Sequence, residues 1–139
     1  MNLSLKPSKD YKNFLNFIEE TFEGDRQEKL LHMYGTDDGC LGLRALVAPA
    51  SGTIHYHNCY DGGYIDHVMN VCKAARGQKV LMQRMGARID FTDDELLFSA
   101  LNHDLGKLGS LEGEQYQRND SEWHVKNQGK VYKINTDLH

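Results

Sequence analysis

Residues 101–107 read LNHDLGK, and this stretch ends an apolar segment with helical spacing. It places a histidine and an aspartate side by side, as His103 and Asp104. An imidazole nitrogen next to a carboxylate oxygen forms a two-point ligand set for a divalent metal ion. Burying either group without a partner costs free energy, so His103 and Asp104 are expected to have hydrogen-bond or metal partners. The stretch therefore predicts a helix that ends at two candidate metal ligands.

A second histidine is a candidate for the third ligand. His67 lies inside the helical pattern GGYIDHVMNV of residues 62–71, and it would reach the pair from a separate element. Without a metal, a neutral His103 could bond to a backbone carbonyl while Asp104 accepts a hydrogen bond in the following loop. That arrangement is the commoner one for an isolated His-Asp pair. With His67 included, we expect two helices to meet around one ion.

Apolar residues at intervals of three and four predict the helices of the chain. The helix that carries His67 is expected over residues 64–76, with Gly77 at its end. Two further helices are expected over residues 10–23 and 26–34. The apolar stripe of the first of these two helices consists of Tyr11, Phe14, Leu15, Ile18 and Phe22. The fold class that this pattern predicts is all-α.

A capping box predicts where the helix before His103 begins. Thr92 can accept a hydrogen bond from the third helical amide, while Glu95 reaches back to the amide of Thr92. Spacing along this helix places Asp104 on its apolar face, and Gly106 is expected to end it.

The other segments predict less regular structure. Residues 36–51 indicate a short helix and a turn, and residues 54–63 a polar loop over the site. Residues 107–120 contain several glycines and polar side chains and predict another loop. A last helix is expected to open at residues 119–122 and to continue to about Tyr132.

The composition is typical of one folded domain. Of the 139 residues, 40% are hydrophobic and 26% are charged, and only two are prolines. Sixteen basic and 20 acidic residues give a net charge of −4, and there is no long basic block. This excludes the electrostatic footprint of a protein that binds duplex nucleic acid. Without a run of about 18 apolar residues, we expect no membrane span.

Cysteine usage indicates a reducing compartment. The three cysteines are an odd number and lack Cys-x-x-Cys spacing, so neither a disulfide framework nor a zinc knuckle is predicted. We therefore expect the protein in the cytoplasm, or in the host cytoplasm if it is viral.

Residues 57–67, followed by HDLGK at residues 103–107, resemble the HD-domain superfamily of metal-dependent phosphohydrolases. The segment Gly-Gly-x-x-x-His that ends at His67 and the later residues 123–132 are most similar to bacteriophage-type members. The resemblance extends over residues 49–132, which is more than half of the chain. The order and spacing of the two motifs make the signal fairly specific, whereas the His-Asp pair alone is weak.

The resemblance implies an HD-type helical bundle around one divalent ion, with His67, His103 and Asp104 as metal ligands. The ion could be Mn, Fe, Co, Ni, Zn or Mg. The family also uses an aspartate on a distant helix, and only Asp120 and Asp137 follow the His-Asp pair in this chain. Neither matches that position convincingly. We therefore expect residues 1–139 to form a single HD-type domain that lacks its final helices.

The resemblance also implies roles for residues around the ion. His57 matches a position at the rim of the metal site, where a second imidazole acts as an acid or contacts phosphate. Lys107 would meet phosphate oxygens as a point charge. His124 matches a histidine that some relatives turn toward the substrate. Lys107 could equally be an ordinary exposed lysine, and His124 a surface histidine.

The function implied is hydrolysis of a nucleotide or another small phosphoester by water that the metal activates. The alternative is a catalytically impaired HD-type module that binds a nucleotide or a protein, because the fourth ligand is not evident. A purely structural helical domain with coincidental histidines is a third interpretation. A homo-oligomer is possible, and no partner among duplex nucleic acids or membranes is expected.

Overall fold

A computed structural model describes residues 9–138, with side chains from residue 10 onward. The helices of the described chain are α1 (Lys9–Thr21), α2 (Gly24–Met33), α3 (Gly42–Ala45), α4 (Gly63–Arg84), α5 (Asp93–Asn102) and α6 (Glu122–Gln128). The strands are β1 (Tyr116–Arg118) and β2 (Tyr132–Ile134), and a 3-10 turn covers Leu105–Leu108. The described chain is therefore mostly helical, as the sequence predicted, and it also contains a small sheet that was not predicted.

The core forms where α4 packs against α5 and α1, and where α1 packs against α2. The predicted stripe of α1 is confirmed, because its members are buried or packed against the buried cluster. Phe14 meets Tyr34 edge to face, with 4.8 Å between the ring centroids. Full burial of a side chain such as Phe14 stabilises the fold by roughly 1.5–3 kcal/mol. The core thus fixes α4 and α5 relative to each other.

A chain of buried hydroxyl groups joins the start of α4 to the end of α5. The Tyr34 hydroxyl lies 3.3 Å from the Tyr64 hydroxyl and donates to Asn102 Oδ1 at 3.0 Å. The Tyr11 hydroxyl donates to the backbone carbonyl of Tyr34 at 2.5 Å. Burial raises the pKa of Tyr64 to about 12, so its hydroxyl stays protonated at neutral pH. These bonds connect the two elements that carry the candidate ligands.

Helix α4 continues through Gly77 to Arg84, so the predicted end at Gly77 is wrong. A Cβ at Gly77 would meet nothing within 4 Å, which places the glycine on an open face of the helix. Its poor helix propensity costs only about 1 kcal/mol, which a 22-residue helix tolerates. Gly86 instead follows the helix end, with φ of 86° and its amide donating to the Gln83 carbonyl. None of the described helices is both long and apolar enough to cross a membrane.

Helix α5 begins at its predicted cap but ends at Asn102, immediately before the His-Asp pair. His103 is the C-cap residue, and Asp104, with φ of −112° and ψ of 21°, has left the helix. The prediction that Asp104 shares the apolar face of α5 is therefore wrong. Gly106 lies inside the 3-10 turn instead of ending the helix. Because that turn is tight, the Lys107 amide donates to the Asp104 carbonyl at 2.9 Å.

The C-terminal part of the described chain differs most from the prediction. Helix α6 ends at Gln128, before the predicted end at Tyr132, because Gly129 adopts a left-handed conformation with φ of 62°. The chain then returns as β2 and pairs antiparallel with β1, in a register that sets Tyr116 opposite Ile134. Strand β1 falls within the predicted loop at 107–120, and the 3-10 turn overlaps the start of that loop.

This C-terminal unit is docked on the loop that precedes α4. The Ile54 amide donates to the Gly129 carbonyl at 2.9 Å, and the Tyr132 amide donates to the Gly52 carbonyl at 3.0 Å. Residues 54–62 form turns without a helix or strand, which confirms the predicted loop, and α3 confirms the short helix expected within residues 36–51. The sheet therefore lies beside the segment that leads into α4.

The capping box of α5 yields a stability prediction. The Thr92 hydroxyl accepts from the Glu95 amide at 3.2 Å, and the Glu95 carboxylate accepts from the Thr92 amide at 2.9 Å. Replacement of Thr92 with alanine leaves a helix-end amide without its acceptor, so we expect a loss of about 1 kcal/mol in the free energy of unfolding. Urea denaturation measures this loss. Ser99→Ala, on the exposed side of the same helix, is the control and should change stability far less.

Candidate metal centre

His67 lies in the second turn of α4, and a pair of glycines determines how that helix begins. Gly62 is the N-cap residue, with φ of 81°, a conformation that glycine adopts at little cost. At Gly63, a Cβ would collide with the backbone oxygen of Asn58, so only glycine allows the loop to approach this closely. The Tyr64 amide then donates to the Ala48 carbonyl at 3.0 Å. This close packing fixes the direction in which α4 presents His67.

His67, His103 and Asp104 converge at the junction of α4 and α5. His67 Nε2 lies 2.9 Å from Asp104 Oδ2 and 3.2 Å from His103 Nε2. His103 Nε2 lies 3.2 Å from Asp104 Oδ2. The three ligand atoms all fall within 4.8 Å of one another, which is close enough for one ion to contact all of them.

The second ring nitrogen of His103 has its own partner. His103 Nδ1 lies 2.7 Å from the Ala100 carbonyl, which can only accept, so Nδ1 donates. In the neutral ring this leaves the lone pair of Nε2 directed at the cluster. A hydrogen bond of this kind orients the histidine ligands of known metal sites. The hydrogen bond from His103 to a backbone carbonyl, which the sequence suggested as an alternative to metal binding, is therefore present. It is compatible with metal binding.

Asp104 is ionised at the centre of the cluster. Burial raises the pKa of its carboxyl group, but the hydrogen bond and the charge of Lys107, with smaller contributions from His103 and His67, outweigh burial and leave the pKa below its usual range. The Lys107 ammonium lies 2.9 Å from Asp104 Oδ2. The carboxylate is thus available as a ligand at neutral pH.

His67 is held neutral by its surroundings. Burial lowers its pKa, and the charges of His57 and Lys107 lower it further, while Asp104 opposes them. A metal binds the neutral form of imidazole and the ionised form of a carboxylate. His67 and Asp104 are therefore in the protonation states that a metal requires. Two nitrogens and one carboxylate oxygen also suit transition metals, so the donor set fits the predicted ion.

The structure brings two further predicted residues to this cluster, and it leaves one without contact to it. The His57 ring stacks obliquely on His67, with 4.4 Å between centroids, and Lys107 binds Asp104. The contacts of the His124 side chain within the described chain are with Ser121, at 2.6 Å from His124 Nδ1, and with the neighbouring Trp123 ring. Within the described residues, His124 therefore has no hydrogen bond or ring contact with the cluster.

No described aspartate completes the ligand set. Asp120 forms an ion pair with Lys133, at 3.1 Å between Oδ1 and Nζ, and it precedes α6 by two residues. Asp137 lies at the end of the described chain, where its amide donates to the side chain of Asn135. The potential metal-binding group within residues 10–138 therefore contains three residues.

Sequence reasoning missed a set of residues that attaches the C-terminal unit to the site. Asp61 Oδ2 accepts from Arg118 at 2.8 Å, and Asp61 Oδ1 accepts from the Tyr132 hydroxyl at 2.5 Å. We call Asp61, Arg118 and Tyr132 the Asp61 clamp. Its members come from the loop before α4, from β1 and from β2, up to 71 residues apart in the chain. No local pattern marks such a contact, so only the folded structure reveals it.

Comparison of the chain with protein-family models, with curated proteins and with solved structures found no match.

The ion pair between Lys107 and Asp104 yields a pH-dependent prediction for the metal-free chain. In Lys107→Met the hydrogen bond and charge that lower the Asp104 pKa are lost while burial remains, so the pKa is expected to rise. In the wild-type chain, the low pKa stabilises the fold above the unfolded value of about 3.9, and this stabilisation is lost as the pH falls through the folded pKa. The variant should lose less stability on acidification.

Carboxyl chemical shifts measured by NMR in the presence of a chelator report this pKa directly. Lys126→Met, which replaces an exposed lysine of α6, is the matched control and should leave the Asp104 titration unchanged. An Asp104 pKa that stays the same in Lys107→Met would contradict the role given to this ion pair.

Proposed function

We propose that the chain is a metal-dependent phosphohydrolase of the HD type, which cleaves a nucleotide or another small phosphoester. One observation carries the proposal. His67 and the His103-Asp104 pair are 36 residues apart in the chain, yet their ligand atoms lie within 4.8 Å of one another. Two imidazoles and a carboxylate this close together, with His67 neutral and Asp104 ionised, are typical of a metal centre rather than of an ordinary core.

In this proposal His67, His103 and Asp104 hold one divalent ion. When bound, the ion supplies positive charge that polarises the phosphoryl group and makes water more acidic. Asp104 also keeps the Lys107 ammonium at the edge of the cluster, at 2.9 Å. From there Lys107 can donate to a phosphate oxygen and balance the charge that develops on it.

His57 is the group best placed to handle a proton beside the cluster. Its ring lies against His67, with 4.4 Å between centroids, and its side chain is exposed to solvent. An imidazole in this position can give a proton to the leaving oxygen and recover it from water. We assign it that role, with Lys107 as the phosphate-binding group.

The ligand set favours one alternative. Because the described cluster contains three ligands and lacks a second carboxylate, the chain could bind a nucleotide or a protein without turning over a phosphoester. In that case metal and ligand binding would persist across Mn, Mg, Co, Fe and Zn with no release of phosphate.

Replacement of His103 with alanine tests the proposed function. We expect it to remove metal uptake and phosphoester hydrolysis while the helical content remains, because His103 caps α5 near the surface and its side chain is 37% exposed. Elemental analysis, phosphate release across a panel of metals and substrates, and circular dichroism measure these three properties. His32→Ala, which replaces an exposed histidine in the last turn of α2, is the matched control. Unchanged metal content in His103→Ala would overturn the proposal.

A further inference from the structure

A cleft of about 670 Å³ opens directly beside the metal cluster. The segment before α4 forms one wall, and β1, β2 and the turn before β2 form the other. Two residues connect the cleft with the cluster, because His57 and Lys107 line it. The volume is within the range of small-molecule sites in proteins. A substrate held at the cluster would therefore extend into this space.

The charged groups that line the cleft have one sign. Its formally charged residues are Lys107, Lys130 and Lys133, and no carboxylate of the described chain lines it. Lys107 is paired with Asp104 and Lys133 with Asp120, and neither carboxylate lines the cleft, whereas the Lys130 ammonium has no ion-pair partner among the described residues. An unpaired ammonium in a lining without carboxylates attracts anions.

A neighbouring cleft shows that this charge pattern is specific. That cleft, of about 540 Å³, also touches Lys107, but it contains the carboxylates Asp61 and Glu114 beside Arg44 and Arg118. Its three positive side chains therefore face two carboxylates, and Arg118 is already bound to Asp61 at 2.8 Å. Of these two clefts, only the one lined by Lys130 offers an anionic ligand from the cluster positive charge without a carboxylate in the lining.

The backbone that carries Lys130 is fixed before any ligand arrives. The Lys130 amide donates to the His124 carbonyl at 3.2 Å, and the Lys130 carbonyl accepts from the Asn119 side chain at 2.8 Å. Thr53 and Lys130 form a single antiparallel β-bridge, which joins the two walls of the cleft. The Asp61 clamp holds the strands in place. Little ordering is therefore needed on binding, apart from the lysine side chains themselves.

We propose that this cleft binds the second phosphate group of a substrate whose first phosphate group lies at the metal cluster. The ligand class is a small molecule with linked phosphates, such as pyrophosphate or a nucleoside diphosphate. Lys130 contributes most of the added affinity, with Lys133 beside it. The inference rests on the proposed function for the position of the first phosphate, but the charge of the cleft acts without a metal.

Titration calorimetry on the whole chain, in chelator and at low salt, tests this site. Inorganic pyrophosphate is expected to bind at least about tenfold more tightly than orthophosphate, a difference that corresponds to roughly one charge-assisted contact. Sodium chloride should weaken this binding because it screens the charges. In the double variant Lys130→Gln/Lys133→Gln, the affinity for pyrophosphate should fall to that for orthophosphate. Lys126→Gln replaces an exposed lysine of α6 that does not line the cleft, and this variant should retain the wild-type affinity.

Three results would overturn the proposal. The first is equal affinity of the wild-type chain for pyrophosphate and orthophosphate, and the second is an equal loss in Lys126→Gln and in the double variant. The third is binding of ADP without binding of pyrophosphate, because the nucleoside would then be recognised instead of the diphosphate. Circular dichroism confirms that each variant is folded. Metal uptake is measured separately, so failure of the metal centre and failure of the cleft give different results.

Discussion

Replacement of Asp104 with asparagine is expected to weaken the binding of a divalent metal by roughly a hundredfold or more, which is about 3 kcal/mol. Asp104 is the anionic member of the described cluster, whose other members are two imidazoles. In the variant the Lys107 ammonium, which now lies 2.9 Å from the carboxylate, would remain beside the site without an opposing charge. A dication would then be repelled by Lys107 as well as deprived of its ligand.

The measurement is titration calorimetry with Mn²⁺ and Zn²⁺ after treatment with a chelator. Asp120→Asn is the matched control, because Asp120 is an exposed aspartate that pairs with a lysine, as Asp104 does, and it follows the His-Asp pair in the sequence. We expect this control to bind metal as the wild-type chain does. If both variants lost affinity equally, Asp120 would be a ligand and the three-residue cluster would be incomplete.

The candidate ligands could be predicted because each belongs to a short, recognisable motif. His67 follows a glycine pair at the start of a helix, and His103 and Asp104 are adjacent in the chain. The structure brings all three together, although it places Asp104 outside α5. The wrong position predicted for Asp104 has a physical reason. A residue just past the end of a helix can still match the helical spacing of the sequence, although the backbone has already turned away. The conformation of Asp104 is set by the 3-10 turn that follows.

Helices could be predicted better than the sheet for a similar reason. The stripe of α1 depends on residues three and four apart, and this spacing is visible in the sequence. Strands β1 and β2 are three residues long, and each is defined only by its partner, as Tyr116 is by Ile134. Short strands carry too few residues for alternation to be recognised. The Asp61 clamp and the lysine-lined cleft depend on this sheet, so the sequence could not predict them.

Glycines show where local patterns mislead. Gly77 and Gly86 both follow helical spacing, and the sequence alone favours the first as the end of α4. The structure distinguishes them by conformation, since Gly86 has a positive φ whereas Gly77 continues the helix. Gly63 is different again, because its lack of a side chain is required by a neighbouring backbone atom. Two of these glycines can be tested against each other within one helix.

Gly63→Ala is expected to destabilise the fold by about 2–3 kcal/mol, whereas Gly77→Ala is expected to stabilise it by about 0.5–1 kcal/mol. At Gly63 the new methyl group would collide with the backbone oxygen of Asn58. That oxygen cannot move freely, because it accepts hydrogen bonds from the amides of Ala50 and Tyr60 at 3.1 and 3.0 Å. The start of α4 would have to shift instead. At Gly77 the methyl group enters open space and improves helix propensity.

The same pair of variants separates the position of His67 from the stability of the helix that carries it. A shift at the start of α4 moves His67, four residues further along, away from Asp104 Oδ2, which lies 2.9 Å from His67 Nε2. Gly63→Ala should therefore weaken metal binding as well as folding, while Gly77→Ala should leave metal affinity unchanged. Urea denaturation and calorimetry with Zn²⁺ measure the two effects. If Gly77→Ala destabilised the chain, α4 would not be continuous through residue 77. If Gly63→Ala kept both properties, the close contact with Asn58 would not determine where His67 lies.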